Sequence, residues 1–455
     1  MTHIDDTILA GKHHIHFIGV GGSGMFPIVQ ILLSQGYAIS GSDNNPGETL
    51  DAEQAMGVTV YMGQRPENLK GAELVVYSAA IMEDNPELVA ARQMGVPVVE
   101  RSEMLGLLTR HYSDCICVSG THGKTTTTAM LTQILYGAGL DPTAVIGGKL
   151  PAIGGSGRAG SSSIMTCEAC EFVDTFLHLA PDYAVILNVD ADHLDYFGTL
   201  ENIIKSFHKF AGMATKAILY NGDDPNTCKA VEGLDQPKTT FGWKEDNDFY
   251  PANIVQKGGV KCGFDLMCRG ENLGHIELNV PGRHNILNAV AAAAAALAVG
   301  ATPAQIQEHL PQFRGAHRRF EVLGQVNGVT IADDYAHHPA ELKVTLEAAK
   351  EMDFNRVWAV FQPFTYSRTA LLLEDFAKVL PIADRVVLSA IMGAREVNTY
   401  GIYAKDLADK IPGCVWFETF PEIARYVIQE AQPGDLVITL GCGDVYKCAH
   451  MMLGE

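Results

Sequence analysis

The 455-residue sequence has no excess of positive charge: 33 Lys and Arg stand against 53 Asp and Glu, for a formal net charge of −20. A nucleic-acid partner needs a basic face to neutralise phosphates, so none is expected. No window reaches about eighteen uninterrupted apolar residues, so no membrane span is expected either. The most apolar stretch, NAVAAAAAALAVG, is short and dominated by alanine and reads as a buried helix. The first residues, MTHIDDTILAGKHH, lack an apolar core followed by a small-residue cleavage site, which leads to the expectation of a cytoplasmic protein. No short-period repeat is present, which argues against a solenoid. The 10 cysteines are scattered, as in a reduced protein, and form no compact disulfide framework. Cys167 and Cys170 make a CxxC, but no second pair or histidine stands at zinc-ligand spacing. The pair reads as two buried free thiols.

One further absence is local. The stretch CICVSGTHGKTTTTAM ends like a phosphate-binding loop, with Gly123, Lys124 and Thr125, yet the first glycine of G-x-x-x-x-G-K-[ST] is missing and Val118 stands there. The physical parts are nevertheless present. Backbone N–H groups from 120 to 124 lead into a helix N-terminus, Lys124 supplies a mobile positive charge, and Thr125 is a hydroxyl suited to Mg²⁺. Four successive threonines are poor in a helix interior but acceptable in its first turn.

An apolar content of 47% with 19% charged residues is ordinary for a globular chain, and the length calls for two or three domains. Apolar runs alternate with helical spacing throughout, which predicts parallel sheets flanked by helices. The expected fold is α/β: three tandem domains over 1–104, 105–316 and 317–455, Rossmann-like, P-loop-like and Rossmann-like in turn. Residues 250–280 alternate enough to suggest an antiparallel insert.

In the first block, HIHFIGVGGSGM places Gly19, Gly21 and Gly24 directly after a strand and before a helix, with Asp43 ending the next strand. That is the context of a dinucleotide fingerprint. NAD or FAD fits it, and so does a UDP-sugar, which also offers a diphosphate joined to a ribose. A tight glycine turn without ligand remains the plain alternative. In the second block, Glu168 follows SIMTC, and Asp190, Asp192 and His193 follow AVILNV. Acids and histidine at strand ends suit a metal beside Lys124, or are merely solvated. In GRHNILNA, Asn285 and Asn288 share a helix face beside His284, where they could read an adenine edge or cap the helix. In HRRFE and ADDYAHHPAE, Arg318 or Arg319 and Asp334 could reach a phosphate or ribose. FQPFTYSRT offers Thr365, Tyr366, Ser367 and Arg368, and an arginine there suits a carboxylate substrate.

Taken in order, HFIGVGGSGM, SGTHGKTTTTAM, NVDADHLDYF, GRHNILNA, HRRFE, DDYAHHP, FQPFTYSRT and AREVNTYGI resemble the Mur ligases over essentially the whole chain. The resemblance implies a cytoplasmic enzyme of peptidoglycan-precursor synthesis that joins UDP-N-acetylmuramate and L-alanine at the expense of ATP, with Mg²⁺, as a monomer or homodimer. A different amino acid or a recycled tripeptide on the same UDP-sugar is the alternative, with a nicotinamide-dependent oxidoreductase more distant. By motif, Gly19, Gly21, Gly22, Gly24, Asp43 and Ser78 look like the UDP-sugar site. Gly120, Thr121, His122, Gly123, Lys124, Thr125 and Thr126 look like the ATP phosphate loop, with Asn288, Arg319 and Asp334 as further ATP contacts. Thr125, Glu168 and His193 look like the metal shell, and Tyr335, His337 and Arg368 like the amino-acid end. Lys124, His193 and His337 are the implied catalytic residues. Two positions depart from the family pattern: EACEFVD replaces E-A-D-E-S-D, and Phe364 replaces a common histidine.

Overall fold

A computed structural model describes residues 6–256, 261–394 and 396–454. The first sheet has strands β1 (His14–Ile18), β2 (Ala38–Asp43), β3 (Thr59–Met62), β4 (Leu74–Tyr77) and β5 (Val98–Glu100), in the order β3-β2-β1-β4-β5. All of its pairings are parallel. The order reverses between β2–β1 and β4, which leaves a crevice at the C-terminal end of β1, where the glycine loop lies.

The second sheet has ten strands: β6 (Asp114–Ser119), β7 (Thr143–Leu150), β8 (Gly155–Arg158), β9 (Ile164–Glu168), β10 (Tyr183–Ile186), β11 (Ala217–Asn221), β12 (Lys238–Phe241), β13 (Phe249–Gln256), β14 (Cys262–Cys268) and β15 (Glu271–Leu278). Their order is β15-β14-β13-β12-β11-β10-β6-β9-β7-β8, and β6 lies between β10 and β9, parallel to both. Strands β14 and β15 are joined by Arg269 (φ 48°) and Gly270 (φ 85°). A two-residue turn with both φ positive makes a tight hairpin, so the alternating segment does contain an antiparallel pair.

The third sheet has β16 (Glu321–Val326), β17 (Val329–Asp334), β18 (Val357–Phe361), β19 (Arg385–Ser389), β20 (Val415–Phe417) and β21 (Leu436–Leu440), ordered β16-β17-β21-β18-β19-β20. Only its β16–β17 pairing is antiparallel. The α/β expectation of three mostly parallel sheets with helices between their strands therefore matches the chain.

Two compact units result. One holds residues up to 252 with 265–276 and 287–312; the other holds 313 onward with 277–286 and the segment from 253 to 264. In the first unit, one apolar cluster runs from Phe17 and Ile28 under the first sheet to Cys117, Phe176 and Phe210 under the second. Fully burying each large apolar side chain contributes about 1.5–3 kcal/mol. The alanine-rich run lies in helix Arg283–Ala298, with Ala289 to Ala296 buried as expected. Among the described residues, no helix is long and apolar enough to cross a membrane.

Candidate active site

Strand β6 ends at Ser119 and the next helix, Lys124–Gly137, begins at Lys124, so the turn between them is residues 120–123. Val118 lies inside the strand, fully buried, which explains why no glycine is needed there. The glycines stand where the backbone demands them. Gly120 has φ 141° and a Cβ would fall 2.9 Å from the Cβ of Leu187; Gly123 has φ 87° and a Cβ would fall 2.6 Å from Asn288 Oδ1. Both φ values are costly for a side-chain-bearing residue. Asn288 is thereby placed against the loop, whereas Asn285 donates from Nδ2 to the Pro281 carbonyl at 2.7 Å and serves local structure.

Lys124 Nζ folds back over the turn. It donates to the carbonyls of Gly120 (2.6 Å) and Thr121 (3.2 Å) and pairs with Glu171 (2.8 Å). Burial alone would lower its pKa, but Glu171, helped by Cys170 and Glu168, outweighs that and raises it. The ammonium is thus a fixed positive charge at a helix N-terminus, the arrangement that phosphates bind. Thr125 Oγ1 donates to Glu168 Oε1 at 3.0 Å, and Gly147 N donates to Glu168 Oε2 at 2.7 Å. Gly147 allows this because a Cβ there would sit 2.5 Å from the carboxylate. A hydroxyl and a carboxylate side by side are hard oxygen donors, and Mg²⁺ binds through few protein ligands, so this pair fits that ion. Among the described residues, no group of three His, Cys, Asp or Glu is clustered as a metal site.

Among the described residues, His193 makes no hydrogen bond or ion pair with Thr125 or Glu168. Strand β10 stops at Ile186, short of the predicted AVILNV, so Asp190, Asp192 and His193 lie in a loop beyond it. His193 has φ 51°, approaches Asp192 Oδ2 at 3.8 Å and packs on Phe172 with ring centroids 4.7 Å apart. Cys170 also departs from its reading: β9 ends at Glu168, so Cys170 sits exposed in the following turn while Cys167 is buried in the strand.

Two residues of this site escaped the sequence reading. Asn188 clamps the loop by accepting from His122 N (2.7 Å) and donating to His122 O (3.0 Å). Glu171 is the Lys124 counter-ion, buried with it. Its signal was present, since EACE retains the second glutamate of the E-A-D-E spacing.

At the first loop, Gly21 N donates to Asp43 Oδ2 (3.1 Å) and Asn45 N to Asp43 Oδ1 (3.0 Å). The acid expected at a ribose therefore also ties down its own loop. A Cβ on Gly21 would lie 3.0 Å from both Asp43 Oδ2 and Leu50, and one on Gly19 would lie 3.8 Å from the Cβ of Ser78. Gly22 N donates to Gly19 O (3.2 Å), and a Cβ on Gly24 would lie 3.3 Å from Arg101. Glu53, on helix Glu48–Ala55, is fully buried, and among the described residues neither of its oxygens is hydrogen-bonded. Burial, reinforced by Asp43, pushes its pKa up to about 8.

In the second unit, the adjacent arginines separate in role. Arg318 is committed internally: Nε donates to buried Asp333 (2.8 Å), the other nitrogens to the carbonyls of Gly443 and Gly441, and the guanidinium lies between the rings of Tyr335 and Tyr446. The Arg319 guanidinium lies over the Tyr335 ring at 5.5 Å. Among the described residues, neither the Arg319 nor the Arg368 guanidinium makes a hydrogen bond or ion pair, which leaves both for anionic ligands. Asp334 is buried and accepts from Phe320 N (2.7 Å) and Ala336 N (2.8 Å); burial, opposed by Arg319 and these donors, pushes its pKa up to about 6. Tyr335 and His337 stack edge-on at 5.6 Å, and the charges of Arg319 and Arg368 both bear on His337. Tyr335, His337, Arg319 and Arg368 are thus gathered in one place. Phe364 precedes helix Tyr366–Leu371 and bridges to Met392. Of AREVNTYGI, Arg395 lies outside the described residues.

Three family models match the chain: "Mur ligase family, catalytic domain" at residues 14–113, "Mur ligase middle domain" at 118–296 and "Mur ligase, glutamate ligase domain" at 318–443. The chain is 42% identical over 447 residues to the UDP-N-acetylmuramate–L-alanine ligase of Caldanaerobacter subterraneus subsp. tengcongensis, covering 97% of each chain. It is 44% identical over 447 residues, again 97% of each chain, to the enzyme of that name from Agathobacter rectalis. Among solved structures, the UDP-N-acetylmuramate-alanine ligase MurC of Thermotoga maritima is 27% identical with a TM-score of 0.83, over 97% of this chain and 98% of that one. A murein peptide ligase from Psychrobacter arcticus is 25% identical with a TM-score of 0.71, over the same shares. The chain belongs to the Mur ligase family.

Proposed function

We propose that this chain joins L-alanine to the carboxylate of UDP-N-acetylmuramate, using ATP and releasing ADP and phosphate, in the bacterial cytoplasm. One observation carries the reading: the Gly120–Lys124 cradle beside the Thr125–Glu168 pair, in a chain like alanine ligases over 97% of its length. Residues 1–104 would hold the UDP-sugar, 105–316 ATP, and 317–455 the amino acid.

The sugar carboxylate attacks the γ-phosphorus of ATP, the bond to ADP breaks, and an acyl phosphate forms. Lys124 and the loop N–H groups offset the charge gathering on the transferred phosphoryl oxygens. Thr125 and Glu168 would hold Mg²⁺, with His193, which rests against Asp192 and Phe172, as a further candidate ligand. When bound, Mg²⁺ supplies further neutralisation of phosphate charge. The neutral amine then attacks the acyl carbon, its proton passes to a base, and phosphate leaves. Arg368 would pair with the amino-acid carboxylate, and His337 would accept the proton.

Phosphate release from ATP and UDP-N-acetylmuramate, measured with L-alanine, glycine, L-serine and the tripeptide in turn, tests this. Release that follows L-alanine is expected; release that ignores the amino acid refutes the ligase. Phe364→His is expected to shift the alanine-to-serine ratio by roughly 10–200-fold, because small groups in a pocket discriminate by about 1–3 kcal/mol.

A further inference from the structure

We propose that Glu341 is the positioning residue for His337, holding the ring so that Nδ1 carries the proton and Nε2 turns its lone pair to the amine of the incoming amino acid. This rests on the reading of His337 at the amino-acid end.

His337 Nδ1 lies 3.1 Å from the Tyr335 carbonyl oxygen and 3.2 Å from a Glu341 carboxylate oxygen. A carbonyl and an ionised carboxylate only accept. A ring nitrogen that faces two acceptors must be the N–H. The neutral ring then has its lone pair on Nε2, which makes no hydrogen bond among the described residues.

Glu341 is itself immobilised. It is the third residue of helix Pro339–Lys350, and Oε2 accepts from the backbone N–H of His337 (3.0 Å) and His338 (3.2 Å). A helix N-terminus favours a negative charge there. Although burial opposes ionisation, His337, these N–H groups and Arg319 keep the Glu341 pKa below its ordinary value.

The charged groups around the ring come from separate elements. Glu341 favours the imidazolium, whereas Arg319, before β16, and Arg368, on helix Tyr366–Leu371, oppose it. Cys442, after β21, faces Glu341 and Arg368. Burial is the largest influence, and the net result is a pKa below the ordinary histidine value. His337 is therefore neutral at neutral pH, as a base must be. As the C–N bond forms, the amine proton moves to Nε2, and Glu341 sits opposite the resulting imidazolium.

The test is made on the full chain, by nitrogen NMR of labelled histidine together with pH profiles of kcat/KM for alanine. Wild type should show the Nδ1–H tautomer. Glu341→Gln keeps an acceptor but removes the charge, so the His337 midpoint and the acid limb of the profile should both fall by about one pH unit, with the KM for ATP unchanged. Glu341→Leu removes this acceptor while the Tyr335 carbonyl stays, so Nδ1–H should lose its exclusivity, with a measurable share of Nε2–H, and kcat should drop roughly tenfold or more. An unchanged tautomer and midpoint in these variants overturns the proposal. If the leucine variant does not fold, the titration of the glutamine variant decides alone. The base reading fails separately: wild-type turnover in His337→Gln sinks it, while the His337 signals in the Glu341 variants still report on positioning.

Discussion

The two glycine loops, Gly19 to Gly24 and Gly120 to Gly123, share a frame: each follows a buried parallel strand and leads into a helix. They differ in what closes on them. The first is tied by a carboxylate, Asp43, bonded to Gly21 N. The second is crossed by a cation, Lys124, with a hydroxyl and a second carboxylate beside it. The first loop has backbone donors, an acid and the Arg101 side chain beside Gly24, but among the described residues it has no cation crossing its turn to offset charge that grows during a reaction. The loop with a buried ammonium and hard oxygen donors has one. On the proposed function, the same backbone device would serve retention in one place and chemistry in the other.

The sharpest way to break the comparison is Lys124→Ala. It should lower phosphate release about a thousandfold or more while UDP-sugar binding, followed by calorimetry, stays within about twofold. Near-normal turnover would remove the distinction between the loops. Next is Gly123→Ala, which meets both φ 87° and the Asn288 side chain. A loss of about a hundredfold in kcat/KM for ATP is expected from the displaced loop.

Glu53, on helix Glu48–Ala55 and within reach of the Asp43 charge, offers a third probe. Its folded pKa, about 8, lies above the unfolded value, so the folded state binds the extra proton and stability falls as pH rises through the interval between the two. Between pH 6 and pH 9 this group should cost the wild type about 2–3 kcal/mol, and Glu53→Gln should abolish that slope in denaturant titrations. A parallel decline in both proteins would show that Glu53 is not the cause. The smallest effect is expected for Gly21→Ala, where Asp43 and Leu50 must give by a few tenths of an ångström. The KM for the UDP-sugar should rise roughly tenfold with that for ATP unchanged.

Much of the fold was legible because central strands announce themselves. HIHFI, DCICVS and LVITL are almost wholly buried apolar runs followed by glycine turns. Strands β7, β8, β11 and β12 of the second sheet escaped, as did three that stand at sheet edges, β3, β16 and β20. The edge strands are half-solvated, with no fully buried residue among TVYM, EVLGQV or VWF, so no apolar run marks them. At the site, residue types could be read but not their partners. HRRFE offered two equal arginines, and only the fold shows that Arg318 is spent on Asp333, two carbonyls and two tyrosines. Glu341 drew no reading from the sequence, because its contact with the His337 ring depends on backbone geometry that spacing does not encode.

The four-residue connection from Ser119 to Lys124 also sets a limit on how this protein can change. An α-helix turns by about 100° per residue, so one inserted residue would swing Thr125 away from Glu168 and Lys124 away from Glu171 together. Substitutions within the loop strain single positions, whereas a change of length would dismantle every contact at once. The connection is therefore closed to insertion and deletion as well as to side chains at Gly120 and Gly123, and grafting it elsewhere would require carrying the strand register along with the motif.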